Sequence, residues 1–265
     1  MNEQPVTMAI SELGVATLRL NRPEVHNAFD DHLIAELTHT LRDLDHNTSV
    51  RAVVLAAEGK SFSAGADLNW MKRIAHYSEA ENIRDAVALA SLMRTLNGLT
   101  KPSIARVQGA ALGGGVGLVA CCDIAIAGGG ATFSLSEVRL GLIPAVISPY
   151  VIGAIGERNA RRYFLSAERF DSQEALRIGL VHSVVNDADL DGAVSRILDQ
   201  LLKGGPKAIA AAKDLIAHVA HRPIDQLLAE ETASRIAQIR VSPEGQEGIA
   251  AFLDKRPPSW TKPKE

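Results

Sequence analysis

The sequence predicts an α/β fold in which strand, glycine turn and helix follow one another, closed by a purely helical tail. Three observations lead there. In residues 102–123 an apolar stretch runs into Gly109, Gly113, Gly114, Gly115 and Gly117, and then into a helix-like apolar segment ending at Asp123. Residues 51–72 repeat that order: RAVVLAAEG reads as a buried strand, KSFSAGAD as a small-residue turn, and LNWMK as the start of a helix. Beyond Asp187 no strand signal remains. The two similar units point to a repeating supersecondary element.

Taken in order, residues 15–20 have strand composition and end in the turn chemistry of Asn21-Arg22-Pro23. Residues 30–45 carry Leu33, Leu37, Leu41 and Leu44 at helical spacing. His32, His39 and His46 recur along this helix every seven residues. Metal ligands on a helix sit one turn apart, so these three read as a solvated face and no metal site is expected. Residues 78–99 form a second helix closed by Thr100-Lys101-Pro102. Strands are expected at 122–127 and 132–135, a single turn at 136–141, helical runs from Ile143-Pro144 to Ile155 and over 158–167, and a last strand at 181–185. The tail holds helices at 188–202, 206–219, 223–239 and 243–253, three of them with Pro in the first turn, where its missing N–H costs nothing. The core is expected to span residues 1–195 and the helical region 196–265.

A 265-residue chain that is 46% hydrophobic can bury a sizeable core, but aromatics make up only 4%, so aliphatic side chains must fill it. A net charge of −3 gives no electrostatic reason to expect nucleic acid or an anionic membrane as the main partner, and a small ligand is favoured. No stretch reads as a membrane span, because the longest apolar run is glycine-rich and broken by Asp123. The opening MNEQPVTMAI has no targeting signature. Adjacent Cys121 and Cys122, placed in the helix after the glycine turn, read as packing residues of a reducing, cytoplasmic compartment.

Two glycine-rich turns could present bare backbone N–H groups to one reacting atom, the arrangement that stabilises an oxyanion formed from a thioester or ester carbonyl. Neither turn has the GxxxxGK[ST] frame of a nucleotide phosphate site. Gly115-Val116-Gly117-Leu118-Val119-Ala120 does satisfy GxGxxA, with Glu137 further on, but Gly109 to Gly114 intervene between strand and fingerprint, which weighs against a dinucleotide site. Glu137 is the acid to single out. It lies in a short polar interruption between apolar pieces, where a carboxylate among apolar walls has a raised pKa and can take and return a proton near neutrality. Its structural alternative is a carboxylate at a helix start behind a capping Ser136.

These residues carry a resemblance. FSAGADL (62–68), QGAALGGGVGL (108–118), SEVRLGLIP (136–144) and EGIAAFLDKR (247–256) resemble the crotonase, or enoyl-CoA hydratase/isomerase, superfamily, and the match runs from NRPEVHNAF at Asn21 onward. The resemblance implies a crotonase-like spiral of ββα units, a C-terminal helical region that builds homotrimers or hexamers paired from trimers, acyl-CoA thioester substrates, and no cofactor beyond that CoA. Position by position, Ala66 and Gly114 match the family's oxyanion-hole residues and Glu137 one of its two catalytic glutamates. The other glutamate falls at Gly117, so a two-carboxylate mechanism does not carry over. Ala64, Asp67 and Leu68 match positions beside the CoA, and Phe252 and Lys255 match C-terminal adenine and phosphate contacts that commonly come from the neighbouring subunit. GADLNWM and GLIPAVISPYV look like bacterial methylglutaconyl-CoA and isohexenylglutaconyl-CoA hydratases, which implies hydration of a branched glutaconyl-CoA in leucine or isoprenoid-acid degradation. A single-glutamate 3,2-enoyl-CoA isomerase is the alternative. One superfamily relative also associates with RNA, but sparse aromatics and weak acidity argue against that ligand. Lys72, Arg73 and Arg84 are candidates to meet a distal substrate carboxylate, and none is assigned.

Overall fold

A computed structural model describes residues 4–261. Its main sheet contains β1 (Val6–Ile10), β2 (Val15–Leu20), β3 (Ala52–Ala57), β4 (Ser103–Val107), β6 (Ile124–Gly128) and β9 (Ser183–Val185), in the spatial order β1-β2-β3-β4-β6-β9. Only the β1–β2 pair is antiparallel; from β2 to β9 every pairing is parallel. β3 is buried at all six positions, as a strand covered on both faces must be. A second, three-stranded sheet joins β5 (Ala110–Leu112), β7 (Thr132–Ser134) and β8 (Phe170–Asp171).

Each turn of the chain visits both sheets and then a helix. β4 leads to β5 and α4 (Gly114–Cys121); β6 leads to β7 and then α5 (Ser148–Ser166). β3 leads to the turn at Ser63, then to α2 (Leu68–Ile74) and α3 (Glu79–Asn97). Ser63 occupies the small-sheet position as an isolated parallel bridge to Ala111. The repeated unit suggested by the two glycine turns is therefore ββα. α1 (Asp31–His46), capped by Asp30, turns Leu33, Leu37, Leu41 and Leu44 into the core, while His32, His39 and His46 stay exposed. Each such leucine stabilises the fold by about 1.5–3 kcal/mol relative to exposure.

After β8 come α6 (Ser172–Arg177), β9 and then helices alone: α7 (Leu190–Leu201), α8 (Pro206–Val219), α9 (Gln226–Val241) and α10 (Pro243–Leu253). Lys213 on α8 docks this tail on the sheet by pairing with Asp123, which also accepts from the N–H and hydroxyl of Ser103. No helix of the described residues is long and apolar enough to cross a membrane, and no acid, histidine and cysteine cluster among them could hold a metal ion.

Several expectations shift. α5 begins at Ser148 rather than Ile143, because Pro149 lacks an N–H and must occupy the first turn. Gly156, at φ 74°, breaks α5 between the two expected helical runs. α9 starts behind its Asp225 cap, so Pro223 precedes the helix and only two tail helices carry Pro in their first turn. Cys122 caps α4 in extended geometry instead of lying within the helix or starting β6; both cysteines are buried and free. β1, β5, β8 and α6 are short elements that the sequence reading missed.

Candidate active site

Parallel register assembles the site. Ser63 bridges Ala111, with the Ser63 N–H donating to Ala110 O at 3.0 Å and the Leu112 N–H donating to Ser63 O at 2.8 Å. Ala66 and Gly114 each lie three residues beyond that bridge, on neighbouring parallel segments. β5 pairs in turn with β7, Leu112 opposite Ser134, and Glu137 lies three residues past Ser134. All three candidate residues therefore leave the small sheet at the same end.

The first turn is held from below. Asn27, fully buried at φ 55°, donates to Glu58 O at 2.8 Å and Ser61 O at 2.9 Å, while its own carbonyl accepts from the Ser63 hydroxyl. The Phe29 N–H donates to Gly65 O at 2.6 Å and the Asp67 N–H donates to Phe29 O at 2.8 Å. In that bridge pattern the intervening Ala66 turns its own N–H to the opposite side, and among the described residues it donates to nothing. Ala66 is exposed. Gly65 has φ 85°, and a Cβ there would stand 3.2 Å from Leu112 O, so the two turns touch through backbone.

Gly114 is the first residue of α4, and its N–H has no acceptor within the helix. The preceding Gly113, at φ 51°, anchors the turn by donating to Ser134 O at 2.9 Å. Phe29 spans both turns: its backbone pairs with the first, and its ring would lie 3.1 Å from a Cβ at Gly114.

Glu137 opens a one-turn 3-10 helix, Glu137–Leu140, and Ser136 makes no side-chain cap, so the purely structural capping role fails. Its Oε1 would be 3.0 Å from a Cβ at Gly113, which places the carboxyl against the start of α4. Oε2 is buried without a hydrogen-bond partner among the described residues, and burial raises the carboxyl pKa above its ordinary value. The structure thus brings two N–H groups without an acceptor among the described residues and one buried carboxyl to the same end of the small sheet.

A Cβ at Gly117 would stand 2.3 Å from Ile147 Cγ2 and 3.2 Å from Met93 Cε. Ile147 is 3% exposed. A second carboxylate is therefore sterically excluded, and the space is filled by protein rather than left for substrate. Gly115 and Gly117 lie inside α4, not in a turn before it, which removes the GxGxxA cradle needed for a dinucleotide.

Other expected ligand residues divide. Ala64 is half-buried, its N–H donating to His26 O at 2.9 Å, and Leu68 is 74% exposed beside Ala66. The Asp67 carboxylate caps α2, accepting from the N–H groups of Asn69 at 2.7 Å and Trp70 at 3.2 Å, and pairs with Arg22 at 3.0 Å, so its side chain is committed to the scaffold. Burial, the largest influence, pushes its pKa up, but those hydrogen bonds and Arg22 together hold it below the ordinary value. Phe252 (82% exposed) and Lys255 are not brought to the turns. They belong to the tail that meets the opposite end of β3, where Arg51 donates to the carbonyls of Leu202, Gly204 and Trp260. A six-residue strand separates the two ends by about 20 Å. Of the candidate cations, Arg73 pairs with Asp31, while Lys72 and Arg84 are exposed. Asn27, Arg22 and Phe29 are positioning residues that sequence reasoning passed over, although all lie in or beside NRPEVHNAF.

Comparison with known proteins decides the family. The enoyl-CoA hydratase/isomerase family model matches residues 11–263. The chain belongs to that family. A crystal structure of an enoyl-CoA hydratase from Shewanella pealeana superposes with a TM-score of 0.94 at 49% identity, covering 97% of this chain and 96% of that one. The 2,3-dehydroadipyl-CoA hydratase of Escherichia coli is 33% identical over 93% of this chain and 94% of its own length. The short-chain-enoyl-CoA hydratase of Clostridium acetobutylicum is 32% identical over 91% and 92%. The crotonase fold expected from the motifs is thus the observed one, and membership makes the chain an enzyme of unsaturated acyl-CoA thioesters.

Proposed function

We propose that the protein adds water across the C2–C3 double bond of an acyl-CoA thioester. One observation carries this reading: Glu137, with an unpartnered and desolvated oxygen, sits against the same helix start that offers the Gly114 N–H, one strand away from the Ala66 N–H. The thioester oxygen accepts from both N–H groups, which bind it more strongly as it gains charge. Glu137 removes a proton from a water whose oxygen bonds to C3; the C2–C3 π electrons move onto the thioester oxygen as an enolate. Collapse of the enolate takes the proton from Glu137 at C2, and the carboxylate is regenerated. A pKa raised by burial suits a group that must both accept and return that proton.

The finer reading is a branched glutaconyl-CoA such as 3-methylglutaconyl-CoA. GADLNWM and GLIPAVISPYV support it, as does similarity to a hydratase of a dicarboxylic acyl-CoA. CoA would complete its contacts through Phe252 and Lys255 of a neighbouring subunit in a homotrimer or hexamer, since within one chain they lie at the far end of the sheet. The test is a panel of crotonyl-, 3-methylcrotonyl-, 3-methylglutaconyl- and 3-enoyl-CoA. Loss of the conjugated thioester absorbance with the 2-enoyl substrates, fastest with 3-methylglutaconyl-CoA, is expected. Gain of conjugation from 3-enoyl-CoA without hydration would make the enzyme an isomerase.

A further inference from the structure

Ile147 fills the space that a side chain at position 117 would need: a Cβ there would stand 2.3 Å from Ile147 Cγ2. Gly117 stands one turn beyond Gly113 on α4, and its N–H donates to Gly113 O at 3.2 Å. Gly113 carries the contact with Glu137. One turn of helix advances about 5–6 Å, so whatever lies over Gly117 is one turn along α4 from the contact with Glu137. That occupant is Ile147, the residue capping α5, with Met93 of α3 behind it. Both are buried, and both belong to the main core. The contact is tight enough that even the Ile147 Cβ would lie 2.9 Å from a Cβ at 117. Position 117 is thus confined to glycine by residue 147, and the face of α4 beside the Glu137 contact is covered by a branched apolar side chain.

We propose that Ile147 is the specificity-determining residue of the acyl site: it plugs the space over Gly117, so that a substituent on C3 cannot turn inward along α4 and must turn toward the open rim. The exposed Leu142 and Ile143, on the loop between Glu137 and α5, offer an apolar surface on the outward side. The plug discriminates by shape, and rests on the hydratase reading above. A hydrophobic contact of methylene size separates substrates by about 10- to 200-fold in kcat/KM. Shortening Ile147 should change selectivity on that scale while leaving the N–H donors and Glu137 in place.

The experiment compares crotonyl-CoA with 2-enoyl-CoA esters bearing progressively larger C3 substituents, in wild type, Ile147→Val and Ile147→Ala. The expected result is a kcat/KM ratio of bulky to small substrate that rises in the order wild type, Val, Ala, by at least about tenfold at Ala, with crotonyl-CoA turnover changed far less. Equal losses on all substrates, or an unchanged ratio in a folded Ile147→Val enzyme, would overturn the proposal. Failure of the hydratase reading is separate, because wild type would then hydrate none of these esters. A readout without substrate accompanies it: Gly117→Ala should lower the melting temperature in wild type, and adding Ile147→Gly should remove much of that penalty. Purely additive losses would show that the two positions are not a matched pair.

Discussion

Replacing Asp67 separates a scaffolding role from a ligand-binding one. Its carboxylate accepts two N–H groups at the start of α2 and pairs with Arg22, with only 7% of the side chain exposed. Loss of an N-cap costs about 0.5–2 kcal/mol, and loss of a hydrogen bond between charged groups about 1.5–3 kcal/mol. Arg22 keeps Asp30 at 2.9 Å and Ala28 O at 2.7 Å, so it is not left unpaired and the low end of the second range applies. Asp67→Ala should therefore destabilise by about 2–4 kcal/mol, a melting shift of roughly 5–12 °C for a chain of this size. Asp67→Asn keeps a capping oxygen and loses the ion pair, so it should fall between. The linkage sign follows from the lowered pKa: the folded chain releases this proton more readily than the unfolded one, so the stabilisation is present above the ordinary aspartate range and is lost as pH falls through the folded value. The gap between wild type and Asp67→Asn should accordingly close in acid. Because Ala66 is the preceding residue, kcat on crotonyl-CoA should fall with the cap, and a displacement of about 1 Å can cost about 100-fold. Thermal melts and steady-state kinetics on the same samples decide it. An Asp67→Ala enzyme that melts with wild type but shows a raised KM for acyl-CoA would refute the scaffolding argument and make the Asp67 side chain a CoA contact.

Glu137→Gln should abolish turnover while acyl-CoA binding, followed by calorimetry, survives; an active variant would remove Glu137 from the mechanism. Since the reaction needs the ionised carboxylate, kcat/KM should fall as pH drops through its raised pKa. The stability sign is opposite to that of Asp67: the folded chain holds the Glu137 proton more tightly, so stability declines as pH rises from the ordinary carboxyl value through the raised one, and Glu137→Gln should erase that slope in pH-dependent melts. Ala66→Pro removes one oxyanion donor and should cost about 100- to 1000-fold in kcat, judged beside a melting curve that reports any misfolding. Trp70→Phe deletes the indole donor that Asp85 accepts at 3.1 Å in a partly desolvated setting, and should destabilise by about 1–3 kcal/mol in urea unfolding.

Long periodic segments were legible because burial imposes its period on them, as with the four leucines of α1 and the wholly buried β3. The catalytic candidates were legible because glycine turns and an isolated acid are chemical statements in their own right. Short elements were not: β5 is three residues enclosed by Gly109 and Gly113, with too little chain to show alternation, and its existence depends on pairing with β7. The start of α5 was misplaced because Pro144 and the apolar Val146 and Ile147 resemble a helix start, whereas Pro149 marks the first turn. The role of Ile147 was invisible for a different reason, since nothing in the sequence says which distant side chain will stand over Gly117.

The same register explains why groups without partners gather at this end of the small sheet. Segments starting at Ser63, Ala111 and Phe133 run side by side, and three to four residues later each reaches the end of the small sheet with a group left unpaired: the Ala66 N–H, the Gly114 N–H and the Glu137 Oε2. Buried polar groups are normally satisfied, and for the buried Glu137 Oε2 an unmade hydrogen bond costs about 1–3 kcal/mol. Elsewhere in the same turns that rule holds closely: Asn27 uses both its amide and its carbonyl oxygens, Asp67 is fully engaged, and Gly113 donates to Ser134. On the hydratase reading, these are the groups that would meet a thioester oxygen and a water, and the surrounding hydrogen bonds fix the turns that carry them.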